Sequence, residues 1–261
     1  MAKVCFWTAT NGDYNYMAKA MVLSARKVGM TDDFLVLSDK EVSGAKFIKA
    51  EWIPDERWGC WFKFRYLKRY LAGLDYDYLA WLDAENYFVR KPRNVLSMMH
   101  GSPLHSFLEC DLTCPSNKRT DWWDCPNWKV VQMYRNMGVA SRRIFNVNGG
   151  FFIIKRSFID EFVRITDEFY QYCLKAGYRF VDEVPLAYAT QLVCGDSEMH
   201  VGDVNQDVWA CDWTNAYVNR LPDGQPWLAE HYMLGVKQAV NPAIVHAMRC
   251  KEPLIEIGKH T

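Results

Sequence analysis

Apolar residues along this chain fall into short continuous runs that alternate with amphipathic stretches. Residues 3–10 read as a first strand, and the turn Asn11-Gly12-Asp13-Tyr14 leads into a helix on which Met17, Met21, Ser24 and Val28 recur at helical spacing. Asn11 or Asp13 can cap the start of that helix and Gly29 its end. Residues 32–39 form a second strand, Phe47-Ile48 a short third, and residues 60–73 a helix closed by Gly73. Tyr78 to Leu82 is then an unbroken apolar run of strand length. Residues 103–110 and 147–157 read as further strands. Ser157 with Asp160 starts a long helix to Gly177, and Asp182 caps another in which Pro185 is tolerated in the first turn. Between these, up to about residue 145, the pattern is broken except for a helical stretch at 128–138. The tail is irregular until a last short strand at 243–248.

Strands that are apolar at every position are buried on both faces, as in a parallel sheet. Their alternation with helices predicts a largely parallel α/β sheet with right-handed crossovers, an irregular segment over 105–145 and a lid-like tail. No repeat, low-complexity tract or linker divides the chain, so one domain over 1–261 is expected.

Charge changes this picture little. Thirty-one basic residues balance thirty-one acidic ones, which speaks against a general polyanion partner, although Arg90-Lys91-Pro92-Arg93 is a local basic cluster. No apolar stretch approaches the roughly 20 residues of a membrane span, and the N-terminus lacks a signal-peptide pattern. Nine cysteines without regular spacing point to reduced thiols and a cytoplasmic location. His105, Cys110, Cys114 and Cys125 are all zinc-type ligands, but their spacing matches no zinc pattern.

Candidate chemistry begins where the run Tyr78–Leu82 stops, at Asp83-Ala84-Glu85. Ligands of parallel sheets bind just past the carboxyl ends of the strands, and two acids there suit a hard divalent cation that also binds substrate phosphates. A solvated turn with a helix cap is the other reading. The small hydroxyl residues and glycine of Thr8 to Tyr14 suit a nucleotide lying across a strand end, or an ordinary capped turn. Asn148-Gly149-Gly150 opens an apolar strand with two glycines, which implies a close backbone approach or an unusual φ/ψ, explained by a ligand packed against that backbone or by a tight turn. His246 ends the last strand, either as a core residue or as a ligand. Neither a P-loop, a dinucleotide fingerprint nor a hydrolase nucleophile elbow is present. Trp122, Trp123 and Trp128 sit among Asp, Asn, Pro and Cys residues, where a place in the core is harder to sustain than for the other aromatics.

Taken in order, "TATNGDY", "LDAEN", "NVNGGFFIIKRS", "DEVPLA" and "IVHAMRCKEP" resemble the motifs of the glycogenin-like glycosyltransferases, which include bacterial lipopolysaccharide galactosyltransferases. The resemblance spans nearly the whole chain. It implies a GT-A fold, with a nucleotide-binding half over 1–100 and an acceptor-side half with the C-terminal metal-ligand segment over 101–261. It further implies transfer of a sugar from a nucleotide sugar, typically UDP-linked, with Mn2+ or Mg2+, to a glycan, protein or modified nucleic-acid acceptor. Asp83 and Glu85 match the D-x-D metal acids, with Glu in place of the second Asp, and His246 matches the third metal ligand. Thr8, Thr10, Asn11 and Tyr14 match the base and ribose turn. Lys63 or Arg65, and Lys251, match basic residues at the diphosphate. Asn148 and Gly149 match residues beside the donor sugar, and Asp182 and Glu183 the pair facing the reaction centre. Two alternatives stand beside this expectation: a glycosyltransferase acting on modified bases, and a non-catalytic carbohydrate-binding protein on a degenerate scaffold.

Overall fold

The computed structural model describes residues 2–51, 61–93, 95–99, 101–115, 120–195, 209–211, 230–231, 236–237, 243–247 and 251–260. In chain order the elements are β1 (Val4–Thr10), α1 (Tyr14–Lys27), β2 (Asp33–Ser38), β3 (Lys46–Lys49), α2 (Phe62–Tyr66), β4 (Tyr78–Leu82), β5 (Asn86–Phe88) and β6 (Leu104–Asp111). They are followed by β7 (Asp121–Trp122), β8 (Cys125–Pro126), α3 (Asn127–Asn136), β9 (Phe145–Lys155), α4 (Ile159–Lys175) and α5 (Glu183–Cys194). The last are β10 (Trp209–Cys211), β11 (Glu230–His231), β12 (Val236–Lys237), β13 (Ile244–His246) and α6 (Lys251–His260).

A six-stranded sheet has the order β3-β2-β1-β4-β9-β6. β3, β2, β1 and β4 run parallel, and only β9 is reversed, pairing antiparallel with both β4 and β6. The fold is therefore α/β with a mostly parallel sheet flanked by helices, as expected, apart from that one reversed strand. Alternate residues of each strand feed two cores. Cys5, Trp7, Leu79, Trp81, Phe152 and Ile154 face one side, where α2 to α5 contribute Phe64, Tyr134, Phe162 and Leu186. Phe6, Ala80, Leu82, Phe151 and Ile153 face the other, against Met17 and Met21 of α1 and Leu254 of α6. Burial on both faces is why β4 reads as an unbroken apolar run and β1 as one broken only by threonines.

Three local outcomes differ from expectation. The helix expected over 60–73 starts at Phe62 and widens into a π-type turn over Leu67–Leu71. Ser157 lies in a 3-10 turn and does not cap α4, which starts at Ile159. The tail contains a helix that sequence reading missed, α6, whose Pro253 is tolerated in the first turn. Gly258 of α6 packs so closely on the Tyr16 backbone of α1 that no room remains for a Cβ. Most of the expected lid, residues 196–242, and Arg249-Cys250 lie outside the described residues.

A small second sheet, β10-β13-β5, lies beyond the end of β4. β13 pairs antiparallel with β5, placing His246 opposite Asn86, and the Ala247 N–H donates to the Glu85 carbonyl at 3.0 Å. Residues far apart in sequence are thus brought to one strand end. Among the described residues, Cys5, Cys125, Cys173 and Cys194 are free thiols. Among them too, no helix is long and apolar enough to cross a membrane.

Candidate active site

The turn from β4 to β5 carries Asp83 and Glu85, and backbone bonds hold it rigidly. Asp83 N–H donates to the Gly150 carbonyl at 3.0 Å and Asn86 N–H to the Asp83 carbonyl at 3.1 Å. Asn86 is fully buried; its Nδ2 donates to the Asp83 and Gly150 carbonyls at 2.8 and 3.2 Å, and its Oδ1 accepts from Trp209 Nε1 at 2.8 Å. Trp81 Nε1 donates to Asp83 Oδ1 at 2.8 Å and aims that carboxylate. Asp83, Glu85 and His246 each present one ligand atom, all within 4.8 Å of one another. His246 Nε2 lies 3.6 Å from Asp83 Oδ2 and 3.9 Å from Glu85 Oε1.

The electrostatics of this trio favour a cation. Burial pushes the Asp83 carboxyl above its usual range; Glu85 and Asp182 add to the shift, while Lys63 and His246 oppose it without reversing it. Burial pushes Glu85 upward as well, but His246 and Lys251 outweigh it and hold Glu85 down at about 2. Two carboxylates and one imidazole form a hard oxygen-nitrogen donor set that suits Mn2+ or Mg2+. Charge at Asp83 is short of compensation in the same place, so the residues fit such an ion.

Behind the trio sits Lys63, only 1 % exposed. Its Nζ is ion-paired with Asp182, donates to the Gly149 carbonyl at 2.9 Å, lies 3.7 Å from Asp83 Oδ1 and stands 5.0 Å from the Trp81 ring centroid. Sequence alone left Lys63 and Arg65 equivalent. Helical phase separates them, since residues two apart do not share a face: Lys63 enters the site and Arg65 is exposed. Asp182 stands at the start of α5 but makes no capping bond; its carboxylate goes to Lys63 instead. Glu183 Oε1 accepts the Gly149 N–H at 3.2 Å. On the opposite side Lys251 reaches Glu85 Oε1 at 3.2 Å and donates to Tyr14 Oη at 2.7 Å. Asp83, Glu85, His246, Lys63, Gly149, Asp182, Glu183, Lys251 and Tyr14 therefore belong to one connected constellation. Asn148 joins it through its Oδ1, which accepts the Gly150 N–H at 2.8 Å.

The paired glycines are explained by crowding. β6 pairs with β9 regularly up to Ser106 opposite Phe152, then shifts so that Phe107 lies opposite Asn148, leaving residues 149–151 out of the ladder. A Cβ on Gly150 would fall 2.5 Å from two ring atoms of His246, and one on Gly149 would fall 2.5 Å from Asp182 Oδ2. His246 is buried and has little room to yield. Gly150→Ala is expected to weaken Mn2+ binding about 10–100-fold, the cost typical of losing an orienting partner. It should also destabilise the fold by about 1–3 kcal/mol through overpacking. Titration calorimetry with Mn2+ checks the first effect; wild-type affinity would show that His246 holds no metal.

The turn after β1 is arranged differently from expectation. Thr8 is fully buried inside the sheet, so its hydroxyl does not line the turn. Thr10 donates to Asn15 Oδ1 at 2.6 Å, Ser38 donates to the same oxygen at 2.6 Å, and Asn15 Nδ2 donates to Asp39 Oδ1 at 2.9 Å. Asn11 and Tyr14 are exposed at the rim. Asn15, Ser38 and Asp39 were missed from sequence, although β1 and β2, as parallel neighbours, place their ends side by side. Trp122 corrects another expectation: it is fully buried in the core with Cys125 and Tyr134, which leaves Trp123 and Trp128 as the exposed members of that trio. No protein-family model and no curated protein sequence matches the chain.

Proposed function

We propose that the protein is a metal-dependent glycosyltransferase of the GT-A type, moving a sugar from a nucleotide sugar, UDP-linked by first expectation, to an acceptor hydroxyl. The observation that carries this reading is the meeting of Asp83, Glu85 and His246 with Lys63, Asp182, Glu183 and Lys251 at the carboxyl end of the parallel strands. That end is where open α/β sheets take nucleotides. The base and ribose would lie over the ends of β1 and β2, near Tyr14 and Asp39. The diphosphate would face the acidic trio and Lys251.

Asp83, Glu85 and His246 would hold Mn2+ or Mg2+, which when bound neutralises charge on the diphosphate. Lys251, tethered by Glu85 and Tyr14, places a second positive charge at the same edge. In the reaction the bond from the anomeric carbon to the β-phosphate oxygen breaks, and its electron pair leaves with the nucleoside diphosphate. The acceptor oxygen forms the new bond to that carbon and gives up its proton. Asp182 or Glu183 takes this proton in an inverting reaction; the departing phosphate oxygen takes it in a retaining one.

Differential melting with UDP, GDP and ADP, each with Mn2+ or EDTA, tests donor and metal together. A native-state ligand at about 100 times its Kd adds about 2.7 kcal/mol, which raises Tm by several degrees. The expected result is a shift for UDP that requires Mn2+. A shift with GDP or ADP alone would change the donor, and none with any nucleotide would remove the reading. Slow release of UDP from a UDP-sugar separates an enzyme from a pure binding module.

A further inference from the structure

Next to the acidic site lies a cleft of about 300 Å3 lined by Trp123, Asp124, Gly177, Tyr178, Arg179 and Val181. We propose that this cleft receives the acceptor, and that the acceptor presents a pyranose ring which stacks on Trp123. The inference rests on the glycosyltransferase reading and names the substrate class of its second half.

The first argument is the turn that offers the tryptophan. β7 and β8 pair antiparallel, Trp122 opposite Cys125, so Trp123 and Asp124 alone make the connection. Both lie in the left-handed region, at φ 53° and 59°. Turns of this kind prefer Asn-Gly or Asp-Gly, and a bulky side chain at positive φ is strained. Strain of this sort persists where function or surrounding structure holds it. Burial does not explain Trp123, because Trp122 fills the core and Trp123 stays 40 % exposed. What holds Trp123 is its indole N–H, which donates to Glu183 Oε2 at 2.7 Å.

That bond is the second argument, because it fixes the cleft relative to the chemistry. Glu183 binds Trp123 with one carboxylate oxygen and the Gly149 N–H with the other, and Gly149 is also held by Lys63. A ring resting on Trp123 therefore lies beside the carboxylates that face the transferred sugar. The opposite wall, residues 177–181, runs directly into Asp182.

The third argument is the chemistry of the walls. An indole face takes the C–H face of a pyranose, while Asp124 accepts and Arg179 donates hydrogen bonds to neighbouring hydroxyls. Tyr178 stacks on Phe180 at 5.9 Å with the rings almost parallel, which stiffens that wall. The volume stands at the lower end of the range of about 300–1,000 Å3 for small-molecule sites, enough for one terminal ring. A nucleobase would also stack on Trp123, yet the acid and guanidinium on either side match a polyhydroxylated ring better.

Saturation-transfer NMR on the full chain tests this, with the methyl α- and β-pyranosides of glucose and galactose as probes, thymidine as the flat comparison, and UDP with Mn2+ present. Ring protons of at least one pyranoside should be saturated. Trp123→Gly should weaken that binding by about tenfold, a typical stacking contribution, while melting no lower than the wild type, because glycine relieves the turn. Arg179→Ala, at an exposed position, should weaken it severalfold without unfolding and decides the matter if the glycine variant folds poorly. Binding unchanged in these variants, no pyranoside signal, or thymidine binding in place of the sugars would each overturn the inference. Stabilisation of the wild type by UDP and Mn2+ that persists without pyranoside binding removes only this inference; its absence removes the transferase reading itself.

Discussion

Asp83→Asn is expected to abolish Mn2+-dependent turnover while leaving the protein folded. Asparagine keeps the volume of the side chain and a carbonyl oxygen that still accepts the Trp81 indole N–H. It removes one negative charge from a turn where Glu85 and Asp182 already crowd Asp83, so the melting temperature without metal should hold or rise. Function should respond in the opposite direction. Losing a partner that merely orients a ligand costs about 10–100-fold in metal affinity, and losing a proposed ligand should cost more. With the charge that neutralises the leaving diphosphate gone, UDP release from a UDP-sugar should fall about 100–1,000-fold, equivalent to roughly 3–4 kcal/mol of barrier. Asp160→Asn, on an exposed acid, serves as the control. If the Asp83 variant turns over at the wild-type rate with the same Mn2+ dependence, the acidic trio is not the metal site.

How much of this was legible in sequence depended on whether the signal was local. The central strands were, because burial on both faces makes every position of Leu79–Leu82, and all of Phe6–Ala9 but Thr8, apolar. The acids after β4 were visible because they end such a run. The double glycine announced either a close approach or an unusual φ/ψ, and the structure shows the former: His246 lies at Gly150 and Asp182 at Gly149. Contacts between distant segments left no such trace. Nothing around Asn86 signals that it will meet Trp209, and nothing around Thr10 signals Ser38 and Asp39 through Asn15. Trp122 and Trp123 look alike in sequence, yet Trp122 ends β7 and faces the core while Trp123 opens the two-residue turn to Cys125 and faces outward. Helix α6 escaped notice because its buried positions are few, Leu254 and Gly258, and its packing depends on a glycine against α1 and not on an apolar stripe.

The second large effect is expected at Lys63. Its ammonium is buried among Asp182, the Gly149 carbonyl and the Trp81 ring, with Asp83 at 3.7 Å. Lys63→Met preserves most of the volume but leaves Asp182 buried without its counter-charge. Breaking a buried pair from one side costs about 3–5 kcal/mol, which for a chain of this size lowers Tm by roughly 6–20 °C. The cause can be separated from lost packing by a second change. If the cost is an uncompensated carboxylate, Lys63→Met combined with Asp182→Asn should recover much of the loss, whereas a packing defect would leave the two effects additive. A melting temperature for Lys63→Met within 2 °C of the wild type would mean that Lys63 and Asp182 do not depend on each other. Recovery of stability in the double variant should not bring back turnover. Lys63 also holds the Gly149 carbonyl, and Gly149 in turn donates to Glu183, so this one buried cation ties the Asp83 turn, the glycine strand and the start of α5 together. A fully active double variant would confine Lys63 and Asp182 to stability, whereas a stable but inactive one would give the pair, Asp182 as proton acceptor included, a part in turnover beyond charge balance.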